Sequence, residues 1–348
     1  MNKNASKFIS KNRDCLSLNQ NSHLYKEINY LSVYPEAIEC AERFAMRSID
    51  NKEFHSQLIS CYDSFHFSSH NTLTLEKSFS KLATKILLET IFFEREVKKI
   101  EEIPFVLDYE TIYDVYSKHP SCQHPLFDFM QHNANEEAVR FFLKNDAIMC
   151  MEFFDYLVLT ILGTQNTIKE EIIKNLWDEA GYGNVEKFHT TVFHRLLKDL
   201  GITYDRETLL NSMGWEGLAG LNLFYFLSYN PQNKVRLFGA MAASELLDPL
   251  NYGKFAKGMN RIFGDKYNLS YYTEHEQIDI CHAEGWINKV VLKTLHNLDD
   301  LKDRNGFIEQ FWQGFIMRLN SANSYYDYML KSVSCQGSCE EISINMSL

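Results

Sequence analysis

Residues 271–294 read YYTEHEQIDICHAEGWINKVVLKT and place His275, Asp279 and His282 in an H-x-x-x-D-x-x-H spacing. A helix turns about 100° per residue, so offsets of zero, four and seven fall within an arc of roughly 60°. The three side chains therefore share one face. Two imidazoles and a carboxylate converging from adjacent turns suit a metal ion or a proton relay, and an apolar core has no use for them. The competing reading is a solvated helix face carrying two unrelated histidines. Partners elsewhere in the chain decide between the two.

The rest of the chain reads as helical. It has 348 residues, 45% of them hydrophobic, enough for one large or two modest domains with a real core. Only 15 glycines and 6 prolines occur, with no proline between Leu126 and Asn230 and none after Pro249. Those stretches are free to be helical. A net charge of −11 argues against a nucleic-acid or anionic-membrane surface and is compatible with a cationic small molecule. No apolar run approaches the roughly 18 residues of a spanning helix, and residues 1–20 lack the apolar core of a secretory signal, so the expected location is the cytoplasm. The 8 scattered cysteines include no C-x-x-C pair, as expected of mostly reduced thiols; Cys335 and Cys339 flank Gln-Gly-Ser in a polar tail.

The pattern gives a flexible terminus over residues 1–22 and an N-terminal helical unit over 23–120 serving as scaffold or dimer surface. The stretch H-P-S-C-Q-H-P at 119–125 reads as a linker, because two prolines in seven residues discourage helix. A second helical domain covers 121–332, and a flexible tail follows at 333–348. Helices are expected at 35–48, 51–63, 72–103, 109–117, 126–131 and 135–162, the last capped by Asn135 and ended by Gly163. Further helices are expected at 167–180 and 184–201, three more over 211–263 divided near Pro231 and Pro249, and a final one over 303–332.

Two further anomalies lie on these helices. Glu152 sits in AIMCMEFFDYLVLTIL, where an ionised carboxylate costs on the order of several kcal/mol unless it pairs with a cation. A lysine or arginine from another helix would serve, and so would a metal. Glu186 and His189 form E-x-x-H, the spacing by which di-metal sites gather a carboxylate and an imidazole from one helix, although single pairs also arise by chance on solvated faces. Three helices thus supply three carboxylates and three imidazoles without thiolate. That set suits iron or manganese, and a pair of ions better than one.

A glutamate, an E-x-x-H some 35 residues on, and a late H-x-x-x-D-x-x-H in an all-helical domain resemble the heme-oxygenase-like di-iron oxidase and oxygenase family, over roughly residues 126–332. The resemblance implies an all-α, heme-oxygenase-like bundle with an additional N-terminal helical domain that contributes to a homodimer. It implies two irons, one held by Glu152, His189 and His282 and the other by Glu186, His275 and Asp279, with dioxygen as cosubstrate and an external reductant. In the amine N-oxygenase branch a further glutamate stands ten residues before the E-x-x-H histidine, and Glu179 stands at that offset from His189. The reaction so implied reduces dioxygen at two ferrous ions to a bridging peroxide, which the nitrogen of a small amine or amino acid attacks. Asp178 or Glu274 would hold the outer imidazole nitrogens. Other family chemistries break C–C or C–H bonds of amino or fatty acids. A helical metal-binding or interaction protein without turnover is the alternative of another class.

Overall fold

The fold is taken from a computed structural model. It describes residue 34 and residues 37–39, 50–66 and 75–344. The expected flexible terminus, most of the expected helix at 35–48 and the side chains of Cys335 and Cys339 lie outside the described residues. Among the described residues every regular element is a helix, and none is long and apolar enough to cross a membrane.

The chain forms two compact units, residues 1–99 and 100–348. In the first, α1 (Asn51–His66) packs along α2 (Leu75–Val97), and Phe54, Leu58 and Tyr62 of the one and Leu87, Leu88 and Ile91 of the other are almost fully buried. The second begins with α3 (Tyr109–Lys118), capped by Asp108, whose carboxylate accepts from the Thr111 N–H at 2.8 Å. The 119–125 stretch, expected as a linker, is instead a packed turn within this unit. Pro120–Gln123 form one 3-10 turn with Ser121 and Cys122 buried, and His119 and His124 reach Asn320 (3.1 Å) and Asp327 (3.2 Å) on the last helix. The prolines do exclude α-helix here, but the flanking histidines tie the turn down.

The long helices follow: α4 (Pro125–His132), α5 (Glu136–Ile161), α6 (Asn166–Glu179), α7 (His189–Asp199), α8 (Arg206–Ser212), α9 (Trp215–Tyr229), α10 (Lys234–Phe263), α11 (Ser270–Glu284), α12 (Lys293–His296) and α13 (Leu301–Ile344). Asn135 caps α5 as expected, accepting from the Ala138 N–H at 2.9 Å. Several boundaries differ from expectation: the helix expected at 72–103 ends at Val97 and the one expected at 184–201 begins at His189. The helix expected to break at Pro249 runs through it as α10, because a proline removes one hydrogen bond, to the Glu245 carbonyl, and α11 and α13 pack along the same helix. The last helix continues past residue 332 to Ile344, since one glycine and no proline interrupt the segment. Between α11 and α12 the chain stays helical but widens into a π-turn over Gly285–Leu292.

The core of the second unit is α10 crossed by α13 on one side and α11 on the other. Small residues set the first crossing. Gly239 lies against the Phe311 carbonyl and Gly314 against the Arg236 carbonyl, where a β-carbon would collide with backbone on either helix. Backbone cannot yield as a side chain can, so Gly314→Ala is expected to lower unfolding free energy by about 2–3 kcal/mol in denaturant melts. On the same helix a β-carbon at Gly306 meets nothing. Gly306→Ala should therefore raise stability by about 0.5–1 kcal/mol through helix propensity alone. Equal effects of the two substitutions would contradict this packing.

Candidate metal centre

The expected face of α11 is present: His275, Asp279 and His282 are all buried within one helix. The rest of the site comes from a turn. Helix α6 ends at Glu179, and Gly181, Tyr182 and Gly183 follow with φ of 51°, 57° and 80°. Three successive left-handed residues reverse the chain. A β-carbon on Gly181 would strike the Lys187 backbone, so the turn has no room for another residue there. Tyr182 holds the left-handed conformation without glycine's freedom, a strain on the order of 1–3 kcal/mol that the surrounding turn sustains. The reversal brings Glu179, the last residue of α6, to His189, the first of α7, with Glu179 Oε2 2.8 Å from His189 Nδ1. The ten-residue offset between them is thus a property of a turn and not of helical periodicity.

Two clusters result. In the first, Glu179, His189 and His275 meet: Glu179 Oε1 is 3.6 Å from His275 Nε2, and the two imidazole centroids are 4.4 Å apart. In the second, His282 Nδ1 lies 3.5 Å from both Asp279 Oδ1 and Glu245 Oε2. His275 and Asp279 stand one helical turn apart, so the clusters are neighbours along α11. Glu245, from α10, was not foreseen.

The surroundings aim these donors inward. His275 Nδ1 faces the Tyr271 carbonyl, which leaves Nε2 for the cluster. His282 Nε2 pairs with Asp178 Oδ2 at 3.1 Å, which leaves Nδ1. The expectation for Asp178 therefore holds. Glu274 approaches His189 Nε2 only to 3.9 Å, beyond hydrogen-bond length. Asn175 donates to Glu245 Oε1 at 2.8 Å and turns the other oxygen to His282. Such outer partners fix imidazole tautomer and orientation around a metal.

Burial alone would neutralise these groups, and the mutual arrangement does the opposite. Burial presses Glu179 toward its neutral form, but His189 and His275 outweigh it and hold the carboxyl well below the usual carboxylate range. Burial likewise opposes charge on His275, yet Asp279 and Glu179 raise it to about 10. His282, against the same penalty, is pushed up to about 12 by Glu245 and Asp279. Burial raises Asp279 to about 6 despite both histidines. In the metal-free chain, then, protons on His275 and His282 neutralise buried carboxylates. Even so, His189 Nδ1 and His282 Nδ1 make no hydrogen bond, their carboxylate neighbours lying close but out of line. Orphaned buried nitrogens facing carboxylates of two clusters are what a pair of cations would satisfy.

Two expected ligands are elsewhere. Glu152 is buried on α5 but its oxygens are taken: Arg206 Nε donates at 2.7 Å, Tyr156 at 2.8 Å, and the Tyr225 hydroxyl also donates. The alternative of an arginine from another helix is the one realised. Glu186 is exposed and pairs with Arg195 at 2.7 Å. Residues 185–187 form a 3-10 turn and Phe188 is extended (φ −52°, ψ 131°), so Glu186 and His189 do not share a helix and the i, i+3 geometry is lost. The grouping also differs: His189 joins His275 rather than His282.

Residues 140–318, just over half the chain, match the family described as iron-containing redox enzymes. The chain belongs to that family. Nitrosourea synthase from Streptomyces achromogenes subsp. streptozoticus is 27% identical over 158 residues, which cover 45% of this chain and 33% of the synthase. The chain thus matches about a third of the length of that relative. A crystal structure of a CADD-like protein of unknown function from Nostoc punctiforme PCC 73102 superposes with a TM-score of 0.51 at 14% identity, covering 64% of this chain and 96% of the other. That likeness shows a fold, the heme-oxygenase-like helical bundle. As an iron-containing redox enzyme the chain is an oxidoreductase, and its two buried clusters of nitrogen and oxygen donors fit a di-iron site.

Because His275 and His282 carry protons at neutral pH, a metal must displace them. Ferrous or manganous affinity should therefore rise with pH between 5.5 and 8, by about tenfold per pH unit for each proton released. Calorimetry in buffers of differing ionisation enthalpy measures that release. An affinity independent of pH would contradict the donor assignment.

Proposed function

We propose that this protein is a non-heme di-iron oxygenase that uses dioxygen and an external reductant to oxygenate the nitrogen of a small amine or amino acid. The observation that carries the reading is the pair of clusters one helical turn apart, Glu179 with His189 and His275, and Glu245 with Asp279 and His282. Membership of an iron-containing redox family supports iron as the metal, and the likeness to nitrosourea synthase supports nitrogen as the atom oxidised. Two bound ferrous ions would supply the electrons that activate dioxygen.

The chain's own residues then have distinct tasks. Three imidazoles present ring nitrogens, those of His275 and His282 once their protons leave, and three carboxylates provide anionic oxygens that favour the higher oxidation state. Asp178 and Asn175 hold His282 and Glu245 in register. Glu152 and Arg206 act on the fold, by closing α5 onto α8 and α9.

Two experiments test this. Anaerobic loading with ferrous iron followed by admission of oxygen should give a transient optical absorption. Mass spectrometry of an amine and amino-acid panel should then show gain of oxygen on nitrogen. Loss of carbon dioxide or a shortened chain would replace N-oxygenation with C–C cleavage, and a fully loaded protein inert to oxygen would remove the oxygenase reading. Separately, Glu245→Ala should reduce bound iron from two per chain toward one. Glu152→Ala should retain both ions and instead lose about 2–4 kcal/mol of stability, since Arg206 is left without its buried partner. The reverse pattern would return Glu152 to the metal.

A further inference from the structure

A cavity of about 70 Å³ lies beside the two clusters, and Glu179, Glu245, His275 and Asp279 form part of its wall. The rest of the wall carries charges the clusters do not use. Arg318, from α13, donates from Nε to Ser244 Oγ at 2.9 Å and lies 5.6 Å over the Phe224 ring. Its two terminal amino groups donate to no protein acceptor, and it forms no ion pair. Asp248, from α10, has no hydrogen bond, and Asp146, from α5, accepts only the weak Cys150 thiol at 3.2 Å. Each of these side chains keeps some accessible surface, and each lines the cavity.

Polar groups withdrawn from water are stable when they are satisfied. Here a guanidinium and two carboxyls, which burial pushes toward their neutral forms and Arg318 only partly restores, share one cavity without hydrogen-bonding each other. A ligand bearing both signs would complete all three. We propose that this cavity binds the head group of an α-amino acid, Arg318 taking the carboxylate and Asp248, with Asp146, taking the ammonium. The inference rests on the reading of the two clusters as the reaction centre, and of the two substrate classes named there, amines and amino acids, it selects the amino acids and assigns the residues that hold them.

The chemistry discriminates against the alternatives. A fatty acid would engage Arg318 but leave Asp248 unpaired beside an acyl chain. A simple amine would engage Asp248 but leave the guanidinium unpaired.

The test is anaerobic binding to the full chain, measured by calorimetry and thermal shift, so that no turnover is needed. The ligands are the twenty standard L-amino acids and L-ornithine, each beside its decarboxylated amine and its deaminated acid. At least one amino acid should saturate, with its amine and its acid about tenfold or more weaker, as expected for loss of one charge-assisted contact. Arg318→Gln should bring the amino acid down to the affinity of its amine and leave the amine unchanged. Asp248→Asn should do the converse with the deaminated acid. Arg318→Lys, which keeps the charge, should retain part of the preference and carries the test if the glutamine variant does not fold by circular dichroism. The proposal is overturned if amines bind as tightly as amino acids, if Arg318→Gln leaves their ratio intact, or if no amino acid on the panel binds. Amino-acid binding without nitrogen oxygenation would leave this inference standing and remove the reaction proposed above. Oxygenation of an amine lacking the head group would do the reverse.

Discussion

Three buried carboxylates, Glu179, Glu245 and Asp279, face three buried imidazoles, and no lysine or arginine among the described residues pairs with any of the six. This is the constraint on which the site depends. Without a metal His275 and His282 hold protons that balance the carboxylates, and the Nδ1 atoms of His189 and His282 are left without a hydrogen bond. Everything nearby serves to keep these groups together and dry. The glycines of α10 and α13 close the bundle, and the left-handed turn at 181–183 folds the end of α6 onto the start of α7. The Tyr271 carbonyl, Asp178 and Asn175 turn the donors inward.

The legible part of this design was the part that obeys helical periodicity. His275, Asp279 and His282 repeat at four and three residues on a continuous helix, so their convergence follows from the spacing itself. Glu186 and His189 have equally good spacing but no helix to realise it, because Phe188 is extended. The glycine break just upstream signalled disruption, but not how far it reached. Glu152 is buried as its apolar surroundings required; the sequence could not say that Arg206, 54 residues away, would reach it first. Glu245 was missed although the same criterion applied, since an acid within FGAMAASELL is as anomalous as one within AIMCMEFFDYLV. Pro249, four residues on, predicts a helix end that the structure does not have.

Site and cavity form one continuous arrangement. The donors are hard or borderline oxygen and nitrogen atoms, which suits a redox-active iron pair better than a structural thiolate site. The wall shared with the cavity places Glu179, Glu245, His275 and Asp279 where a bound molecule would lie against both proposed clusters. Arg318, Asp146 and Asp248 line the same cavity as four of the cluster residues, so polar groups of both kinds stand beside the proposed reaction centre.

The most direct measurement of the central claim is anomalous diffraction at the iron edge from crystals loaded anaerobically with ferrous iron. The account predicts two peaks per chain, one ligated by Glu179, His189 and His275 and the other by Glu245, Asp279 and His282. A single peak, or iron ligated by Glu152 or Glu186 in place of Glu245, would contradict it.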